Sequence, residues 1–171
     1  KKFRFEYTSM TTPASVFDYD MDKKSKTLLK QKETLGEFKK DNYKTERIFA
    51  KSKDGKEIPI SLVYRKDLKD NKNGNPLLLY GYGAYGITID AAFSPSKISL
   101  LDRGMVFAIA HIRGGEDLGR SWYYDGKLLN KKNSFTDFIT SAEHLIQNGY
   151  TNKSKLFAMG GSAGGLLMGA I

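Results

Sequence analysis

The sequence predicts an α/β fold for most of the chain, preceded by a short antiparallel β region. From Pro76 onward, short apolar runs alternate with longer amphipathic segments, which is the pattern of strands and helices in a mostly parallel sheet. Within residues 1–35, by contrast, apolar and polar side chains alternate in closely spaced runs, as is typical of antiparallel strands. The chain has 171 residues, enough for one domain or for parts of two.

The first region contains three candidate strands. They cover residues 3–7, 15–20 and 27–31, and residues 21–26 form the turn between the last two. Such short strands bury too little apolar surface to be stable alone, so we expect them to complete a larger sheet or a propeller blade. Residues 36–45 are polar and aperiodic and are interpreted as a linker.

Turn residues and apolar periodicity predict the elements that follow. Asp54-Gly55 is a strong hairpin-turn signal, so two antiparallel strands should flank it. Short apolar runs bounded by turn residues predict buried strands, and the segment between two of them predicts a short helix. The expected strands cover residues 45–50, 58–65, 77–80 and 105–112, the helix covers residues 93–101, and a packed loop covers residues 122–126.

The clearest helix is predicted at residues 134–148. Ser134 and Asp137 fit a capping box at its start, and Gly149 fits the left-handed residue that often follows a helix. The apolar side chains of this segment share one face of a 3.6-residue period. They are Phe135, Phe138, Ile139, Ala142, Leu145 and Ile146.

The last stretch of the chain carries the chemistry. An apolar strand at 156–159 leads into Gly160-Gly-Ser-Ala-Gly164 and then into an apolar, helix-compatible run at 166–171. A G-x-S-x-G pattern between strand and helix is typical of the nucleophile elbow of α/β-hydrolases. In so tight a turn, side chains at Gly160 and Gly164 would collide with neighbouring backbone. The amides that begin the helix would favour negative charge near Ser162.

Two other interpretations of these glycines compete with the elbow. One is a plain Gly-Ser loop, which the strand before the serine and the apolar helix after it disfavour. The other is a phosphate-binding P-loop, which requires Lys-Ser or Lys-Thr after the glycines. No such pair follows Gly164 or Gly165, so the elbow is the favoured interpretation.

The order of catalytic groups predicts that the chain is a piece of a larger enzyme, cut just past its nucleophile. In α/β-hydrolases the serine precedes the acid, and the histidine comes last. Residues 163–171 contain no acid and no histidine. We therefore expect both triad partners of Ser162 to lie beyond Ile171.

A second glycine cluster follows the strand at 77–80. Gly81, Gly83 and Gly86 fit the dinucleotide-binding pattern G-x-G-x-x-G. However, the β-branched residues after them do not open a helix, and the strand at 105–112 ends in His-Ile rather than in an acid that would bind a ribose. We therefore expect no dinucleotide cofactor. Because loops at the carboxyl ends of parallel strands converge, this loop should lie beside the serine and supply an oxyanion donor.

The two histidines are interpreted as structural or surface residues. His111 precedes the serine, against the order of an α/β-hydrolase triad, and Arg113 near it is expected to pair with Glu116 or Asp117. His144 falls on the polar face of the predicted helix. With two distant histidines and no cysteine, no metal site is expected.

Composition limits the classes of partner. The net charge is +9, from 28 basic and 19 acidic side chains, and a basic surface could indicate nucleic-acid binding. The lysines are scattered through polar turns among acids, however, so a solvated surface is favoured. Without a long apolar run, no membrane span or membrane partner is expected. The N-terminus lacks an apolar signal core, so a cytoplasmic location is expected.

Several motifs, taken together and in order, resemble the prolyl oligopeptidase family and, within it, the oligopeptidase B subfamily. The resemblance covers essentially the whole chain. It implies a β-propeller joined to an α/β-hydrolase domain, with residues 1–45 as the propeller's last strands and linker, and residues 46–171 as the N-terminal half of the catalytic domain. The matching segments are residues 63–66, 78–83, 99–104, 109–115, 122–123, 125–127, 137–138 and 160–169.

The resemblance also implies roles for individual residues. Ser162 matches the nucleophile, and the Tyr82 hydroxyl and the Ala163 amide match the two donors of the oxyanion hole. Tyr85 stands where prolyl oligopeptidase has a phenylalanine that lines the substrate pocket. Asp117 stands where many relatives have a glutamate, a one-carbon shortening that could alter local pairing.

The activity implied is that of a serine oligopeptidase without a cofactor. It would act through an acyl-enzyme on short peptides, and the subfamily likeness implies cleavage after Arg or Lys. The expected partners are short peptide substrates and the missing C-terminal half of the same enzyme, and the isolated chain is expected to be inactive. Two alternatives stay open: another α/β-hydrolase acting as an esterase or amidase, and a non-catalytic truncated chain.

Overall fold

A computed structural model describes residues 1–34 and 36–171, which form eight strands and four α-helices. Short 3₁₀ turns at 40–42, 66–68 and 128–130 join some of them. In chain order the elements are β1 (Lys2–Ser9), β2 (Thr12–Asp20), β3 (Ser25–Gln31), β4 (Tyr43–Lys51), β5 (Glu57–Arg65), β6 (Leu77–Tyr80), α1 (Pro95–Leu101), β7 (Val106–Ala110), α2 (Arg120–Tyr124), α3 (Lys132–Gln147), β8 (Leu156–Met159) and α4 (Ala163–Ala170).

The first three strands form an antiparallel sheet in the order β1-β2-β3, as the alternating pattern predicted. Aromatic rings line one side, with Phe5 stacked on Phe17 at 5.5 Å between ring centroids. This sheet meets the rest of the chain at Met10, which is buried in a hydrophobic cluster, and at Thr8, whose hydroxyl accepts a hydrogen bond from the Phe93 amide. The last residue of the predicted β region, Leu35, lies outside the described residues, and the propeller assignment stays a prediction.

The remaining strands form a five-stranded sheet in the order β4-β5-β7-β6-β8. β4, β5 and β7 pair antiparallel, whereas β7, β6 and β8 pair parallel. The predicted α/β pattern is confirmed, and the hairpin around Asp54-Gly55 joins β4 to β5. Because β6, β7 and β8 are parallel, the loops that follow them emerge at one edge of the sheet, where α/β proteins bind ligands.

The predicted linker at 36–45 is wrong in its last three residues, because β4 begins at Tyr43. The Tyr43 ring is buried, and its hydroxyl donates to Asp102 at 2.6 Å. Burial first, and then the bond to Asp102, raises the pKa of Tyr43 to about 12. A tertiary contact to α1's end therefore extends the strand into a segment whose local composition is polar.

Helices cover both faces of this sheet. On one face, Phe138 and Leu145 of α3 and Leu167 of α4 pack against strand residues in the larger core cluster. On the other face, Leu101 of α1 joins Phe107 of β7 in the second cluster. Among the described residues, no helix combines the length and the apolar character needed to cross a membrane.

The predicted capping box of α3 is wrong. The helix starts two residues earlier than expected, at Lys132, and no side chain caps its first turn. The Ser134 hydroxyl instead donates to the Arg113 carbonyl at 2.6 Å, and Asp137 binds the Arg113 guanidinium. The predicted stop is confirmed, since Gly149 has φ +72°.

The segment at 122–126 also differs from the prediction, which was a packed loop. Most of it belongs to α2, where Trp122 is buried and its indole Nε1 donates to the His111 carbonyl at 3.0 Å. The hydrogen bond between Trp122 and His111 therefore stabilises one turn of helix that the local apolar pattern does not predict.

Candidate active site

The site is built on the turn between β8 and α4. Ser162 lies at that turn with φ 53° and ψ −117°, a conformation that costs a non-glycine residue roughly 1–3 kcal/mol. Its side chain is exposed and makes no capping hydrogen bond to α4. The hydroxyl therefore projects from the sheet edge instead of satisfying the helix amides, which leaves it available to a reacting group.

The glycines of the elbow fit the space that the turn leaves. A Cβ placed on Gly160 would overlap the backbone of Gly164, and a Cβ on Gly164 would lie 2.6 Å from the Gly81 carbonyl oxygen. A Cβ on Gly161 or on Gly165 would meet no atom within 4 Å. The steric restriction therefore falls on the two positions that the G-x-S-x-G spacing singles out.

Gly164→Ala is expected to destabilise the complete protein by about 1–3 kcal/mol, because the new methyl group must push the Gly81 backbone away. Gly165→Ala is the matched control, since its methyl group enters open space on the next residue of the helix. It should be neutral or stabilise by up to about 1 kcal/mol, as alanine favours the helix. Thermal unfolding checks both variants; equal melting temperatures would contradict the packing described.

The loop after β6 lies directly beside the elbow. The Gly81 amide donates to the Met159 carbonyl at 3.1 Å, and the Tyr82 Cα lies 3.6 Å from the place of a Cβ on Gly164. Tyr82 is half-buried. Ala163 is the first residue of α4, so its amide has no intrahelical acceptor. The two predicted oxyanion donors thus come from neighbouring segments, and their roles stay predictions.

This loop does not have the context of a dinucleotide site. No helix begins until Pro95, nine residues after Gly86, and the backbone of Gly83 has φ +68°. A phosphate-binding fingerprint requires a helix N-terminus directly after the glycines. The glycines instead allow close packing, because a Cβ on Gly83 would meet Ile112.

Arg113 does not pair as predicted with Glu116 or Asp117. Its guanidinium donates to Asp137 from Nε at 2.8 Å and from Nη2 at 2.6 Å, and its backbone amide donates to the same carboxylate at 3.1 Å. Both side chains are buried, and Asp137 has no exposed surface. The hydrogen bonds that the guanidinium donates to Asp137 raise the pKa of Arg113, so Arg113 stays charged.

The same guanidinium reaches the hairpin between β4 and β5. Arg113 Nη1 donates to Asp54 Oδ2 at 2.6 Å. Hydrogen bonds from Ser52 and from Arg113 lower the pKa of Asp54 to about 2. Arg113 therefore joins three elements that are distant in sequence: a hairpin turn, the end of β7, and α3.

Residues next to the Arg113 ion pair also hold the loop that carries Tyr82. Ser134, one turn before Asp137, has its hydroxyl within 3.4 Å of the Gly83 carbonyl, and Lys131 donates to that same carbonyl. A Cβ on Gly114 would overlap the Gly83 carbonyl, so the two loops touch backbone to backbone. The position of Tyr82 therefore depends on contacts outside its own loop.

A second row of serine, histidine and aspartate lies deeper in the fold. His111 Nε2 is 2.9 Å from Ser61 Oγ, and His111 Nδ1 is 2.7 Å from Asp117 Oδ1. Arg47, which can only donate, also faces Nε2 at 3.1 Å, so Nε2 accepts and Nδ1 carries the proton. Ser61 is only 4% exposed, which leaves no room for a substrate. The structural interpretation of His111 is confirmed.

His144 is half-buried rather than fully exposed, because α3 packs closely along its length. Burial lowers its pKa. It lies ten residues beyond Ser134, which is about 15 Å along the helix axis from the end that contacts the loops. Among residues 1–34 and 36–171, no three His, Asp or Glu side chains gather in a geometry that could hold a metal ion.

A cavity of about 290 Å³ opens beside the elbow. Tyr85 lines it and is 75% exposed, and Ala163 and Leu166 of α4 form the side nearest Ser162. The sequence places Tyr85 on a substrate pocket only through the family resemblance. In the structure it borders a cavity that adjoins the candidate nucleophile.

The sheet order and the strand–serine–helix elbow define the class: this chain is part of an α/β-hydrolase domain. Comparisons with known proteins agree. A family model described as the prolyl oligopeptidase family matches residues 91–171. Dipeptidyl aminopeptidase BI from Pseudoxanthomonas mexicana is 52% identical over 98% of this chain and 23% of its own length.

Solved structures are similar over nearly the whole chain. Oligopeptidase B from Leishmania major is 50% identical with a TM-score of 0.89, over 99% of this chain and 23% of its own. Oligopeptidase B from Trypanosoma brucei with covalently bound antipain is 46% identical with a TM-score of 0.89, over 99% and 24%. The chain belongs to the prolyl oligopeptidase family, and it spans about a quarter of the length of these relatives.

Proposed function

We propose that the protein containing this chain is a serine oligopeptidase that cleaves short peptides through an acyl-enzyme on Ser162. The observation that carries the proposal is the elbow: an exposed serine in a strained conformation, between the first amide of a helix and a tyrosine-bearing loop. The covalent complex of antipain with a 46% identical relative supports a covalent step.

The proposed reaction proceeds in two halves. The Ser162 hydroxyl gives its proton to a general base while its oxygen forms a bond to the substrate carbonyl carbon, and the Ala163 amide and the Tyr82 hydroxyl donate to the resulting oxyanion. The C–N bond then breaks, and the amine leaves with a proton from the general acid. Water attacks the ester, which releases the peptide's new carboxylate and restores the hydroxyl.

We propose that the general base and the acid that orients it come from a part of the protein outside these 171 residues. Both histidines in the chain are otherwise placed: His111 is buried between Ser61 and Asp117, and His144 lies in the last turn of α3. By itself, the chain would then bind but not turn over a substrate. Mixing it with the remainder of the hydrolase domain should restore labelling of Ser162 by a fluorophosphonate.

Substrate preference separates the peptidase from its closest alternative. We propose cleavage after Arg or Lys, on the likeness to oligopeptidase B. The complete protein should hydrolyse peptides that contain one Arg with a kcat/KM far above its value for short-chain acyl esters. The opposite ranking would favour an esterase. An unlabelled, inactive complete protein would favour a non-catalytic role.

A second candidate within the same chemistry comes from the relative named dipeptidyl aminopeptidase, which is 52% identical. Its name describes release of dipeptides from the amino end of a peptide. Substrates with a free amino terminus and their N-acetylated counterparts distinguish the two activities. An endopeptidase should cleave both, whereas a dipeptidyl aminopeptidase should lose the acetylated one.

Tyr82→Phe is expected to lower kcat about a hundredfold with little change in KM, because removing one oxyanion donor typically costs ~3 kcal/mol in the transition state. Steady-state kinetics of the complete protein on an Arg-containing peptide measures both constants. Tyr7→Phe is a suitable control, since that side chain is exposed on β1, in the separate three-stranded sheet. A similar fall in both variants, or none in Tyr82→Phe, would remove Tyr82 from the oxyanion hole.

A further inference from the structure

Tyr82 is held in place by its neighbours and not by its own polar groups. Within residues 1–34 and 36–171, neither its hydroxyl nor its backbone forms a hydrogen bond. The ring is half-buried. A hydroxyl without a partner is ready to donate to an oxyanion, but nothing bonded to it directly sets its direction. The place of that hydroxyl therefore depends on how the backbone on either side is fixed.

The two glycines that flank Tyr82 are fixed in different ways. The Gly81 amide donates to the last carbonyl of β8 at 3.1 Å, which is a contact between backbones. The Gly83 carbonyl accepts from the Lys131 ammonium, and the Ser134 hydroxyl lies 3.4 Å from it. That hydroxyl has a shorter bond, of 2.6 Å, to another carbonyl. Lys131 is therefore the main side-chain anchor on the Gly83 side.

Lys131 is buried in a way that a lysine seldom is. Its ammonium is half-buried, donates to Gly83 and at 3.1 Å to Ser134 Oγ, and lies 5.9 Å from the ring centroid of Phe135. Burial lowers the pKa of Lys131, and no carboxylate of the described residues offsets that effect. A buried charge without a counter-ion costs stability, and such groups cluster at functional sites. The cost points to a role beyond packing.

We propose that Lys131 is a positioning residue for the oxyanion hole, and that its ammonium fixes the Gly83 carbonyl and thereby the place of the Tyr82 hydroxyl beside Ser162. The proposal rests on the proposed oligopeptidase function. In it, Lys131 touches neither the substrate nor the reacting atoms. A hydrogen bond from a charged donor is about twice as strong as a neutral one, which suits a contact that must hold a loop.

Gly83 explains why the loop needs such an anchor. Its φ is +68°, and a glycine has more backbone conformations within reach than any other residue. Without the bond from Lys131, the peptide group after Gly83 would be free to rotate and to carry Tyr82 with it. An oxyanion donor must lie about 2.7–3.1 Å from the charge that develops. A small rotation at Gly83 is therefore enough to weaken the donation.

The effect should fall on kcat. An oxyanion donor acts on charge that exists in the transition state and is nearly absent from the bound substrate. A misplacement of about 1 Å in a site can cost up to ~100-fold in rate. Since Ser134 still lies near the Gly83 carbonyl, we expect a partial displacement and a smaller loss.

A double-mutant cycle in the complete protein tests the proposal, with steady-state kinetics on an Arg-containing peptide. Lys131→Met alone should lower kcat about tenfold and leave KM within about twofold. In the Tyr82→Phe background the same replacement should lower kcat by less than about twofold, because the hydroxyl to be positioned is already gone. A general disturbance of the fold would lower kcat equally in both backgrounds.

Matched variants control for charge and folding. Lys132→Met removes the next lysine, which is exposed on the first turn of α3, and should keep full kcat. Lys131→Arg retains a charged donor and should keep more of kcat than Lys131→Met. Should Lys131→Met fail to fold, as its melting temperature would show, Lys131→Gln takes its place in the cycle. Its side chain is neutral and shorter, so it weakens the same contact.

The outcomes separate the two proposals. An unchanged kcat in Lys131→Met, an equal fall in both backgrounds, or a rise in KM alone would overturn the positioning role while leaving a peptidase. So would an unchanged kcat in Tyr82→Phe, since there would be no donor to position. Failure of wild type to cleave the peptide, or cleavage that survives Ser162→Ala, would overturn the oligopeptidase function itself.

Discussion

Ser162→Ala in the complete protein is expected to lower kcat for peptide hydrolysis by about a million-fold, the size of effect seen when a serine nucleophile is removed from an intact site. The physical reason is that no other described residue near the elbow offers a hydroxyl at the end of a parallel strand with the amides of a helix beside it. Peptide hydrolysis monitored over hours, with active-site titration to correct for contaminating peptidase, measures the residual rate.

Stability provides the control for this variant. The Ser162 side chain is exposed and makes no capping hydrogen bond. Removing its hydroxyl should therefore leave the melting temperature of the complete protein unchanged or slightly higher. The backbone strain at this turn does not depend on the hydroxyl. Ser99→Ala, on the exposed face of α1, should keep full activity. Retention of turnover by Ser162→Ala would end the proposed function, whatever the other variants do.

The parts of the fold that short-range patterns decide were predictable from the sequence. β6 and β8 occupy the predicted residues 77–80 and 156–159, because short apolar runs between turn signals favour strands. Burial does not explain β8, which is an edge strand with three of its four residues exposed. The position of the elbow followed in the same way, since the glycine spacing in Gly160–Gly164 reflects collisions between atoms that are close in sequence.

The parts that depend on distant partners were not predictable. Ser134 and Asp137 have the spacing of a capping box, yet both are bound by Arg113, more than twenty residues earlier in the chain. A buried guanidinium needs several acceptors, so its demand on Asp137 exceeds the roughly 1 kcal/mol that a helix cap supplies. The Ser134 hydroxyl donates instead to the backbone carbonyl of Arg113. No local pattern marks the residue that will supply such a partner.

The neighbourhood of the elbow shows the same division. The sequence predicted that the loop of Tyr82 would lie beside Ser162, because loops after parallel strands converge. It did not predict that Gly83 would be held by Lys131 and Ser134, nor that Ser61 would bond His111. Lys131 and Ser134 contact a backbone carbonyl. Every residue has such a carbonyl, so the sequence does not indicate which one a side chain will contact.

The largest effect on stability is expected from Asp137→Asn. Arg113 Nε and its backbone amide both donate to Asp137 Oδ2, and Nη2 donates to Oδ1. An amide has one acceptor oxygen, so the variant sets an N–H group against at least one of these donors and leaves a buried guanidinium short of charge. Breaking a buried pair in this way costs roughly 3–5 kcal/mol, which corresponds to a fall in melting temperature on the order of 10 °C.

Asp54→Asn is the matched control, because it removes the other carboxylate from the same guanidinium. Asp54 is 49% exposed, so water can replace its contact and the cost should stay below about 1 kcal/mol. Calorimetry of the complete protein compares the two variants.

If the buried charge is the cause, Arg113→Met combined with Asp137→Leu should recover most of the lost stability, since a well-packed apolar pair of similar volume avoids the uncompensated ion. Equal losses in Asp54→Asn and Asp137→Asn, or a double variant no better than Asp137→Asn, would show that the network stabilises the fold through shape rather than through charge.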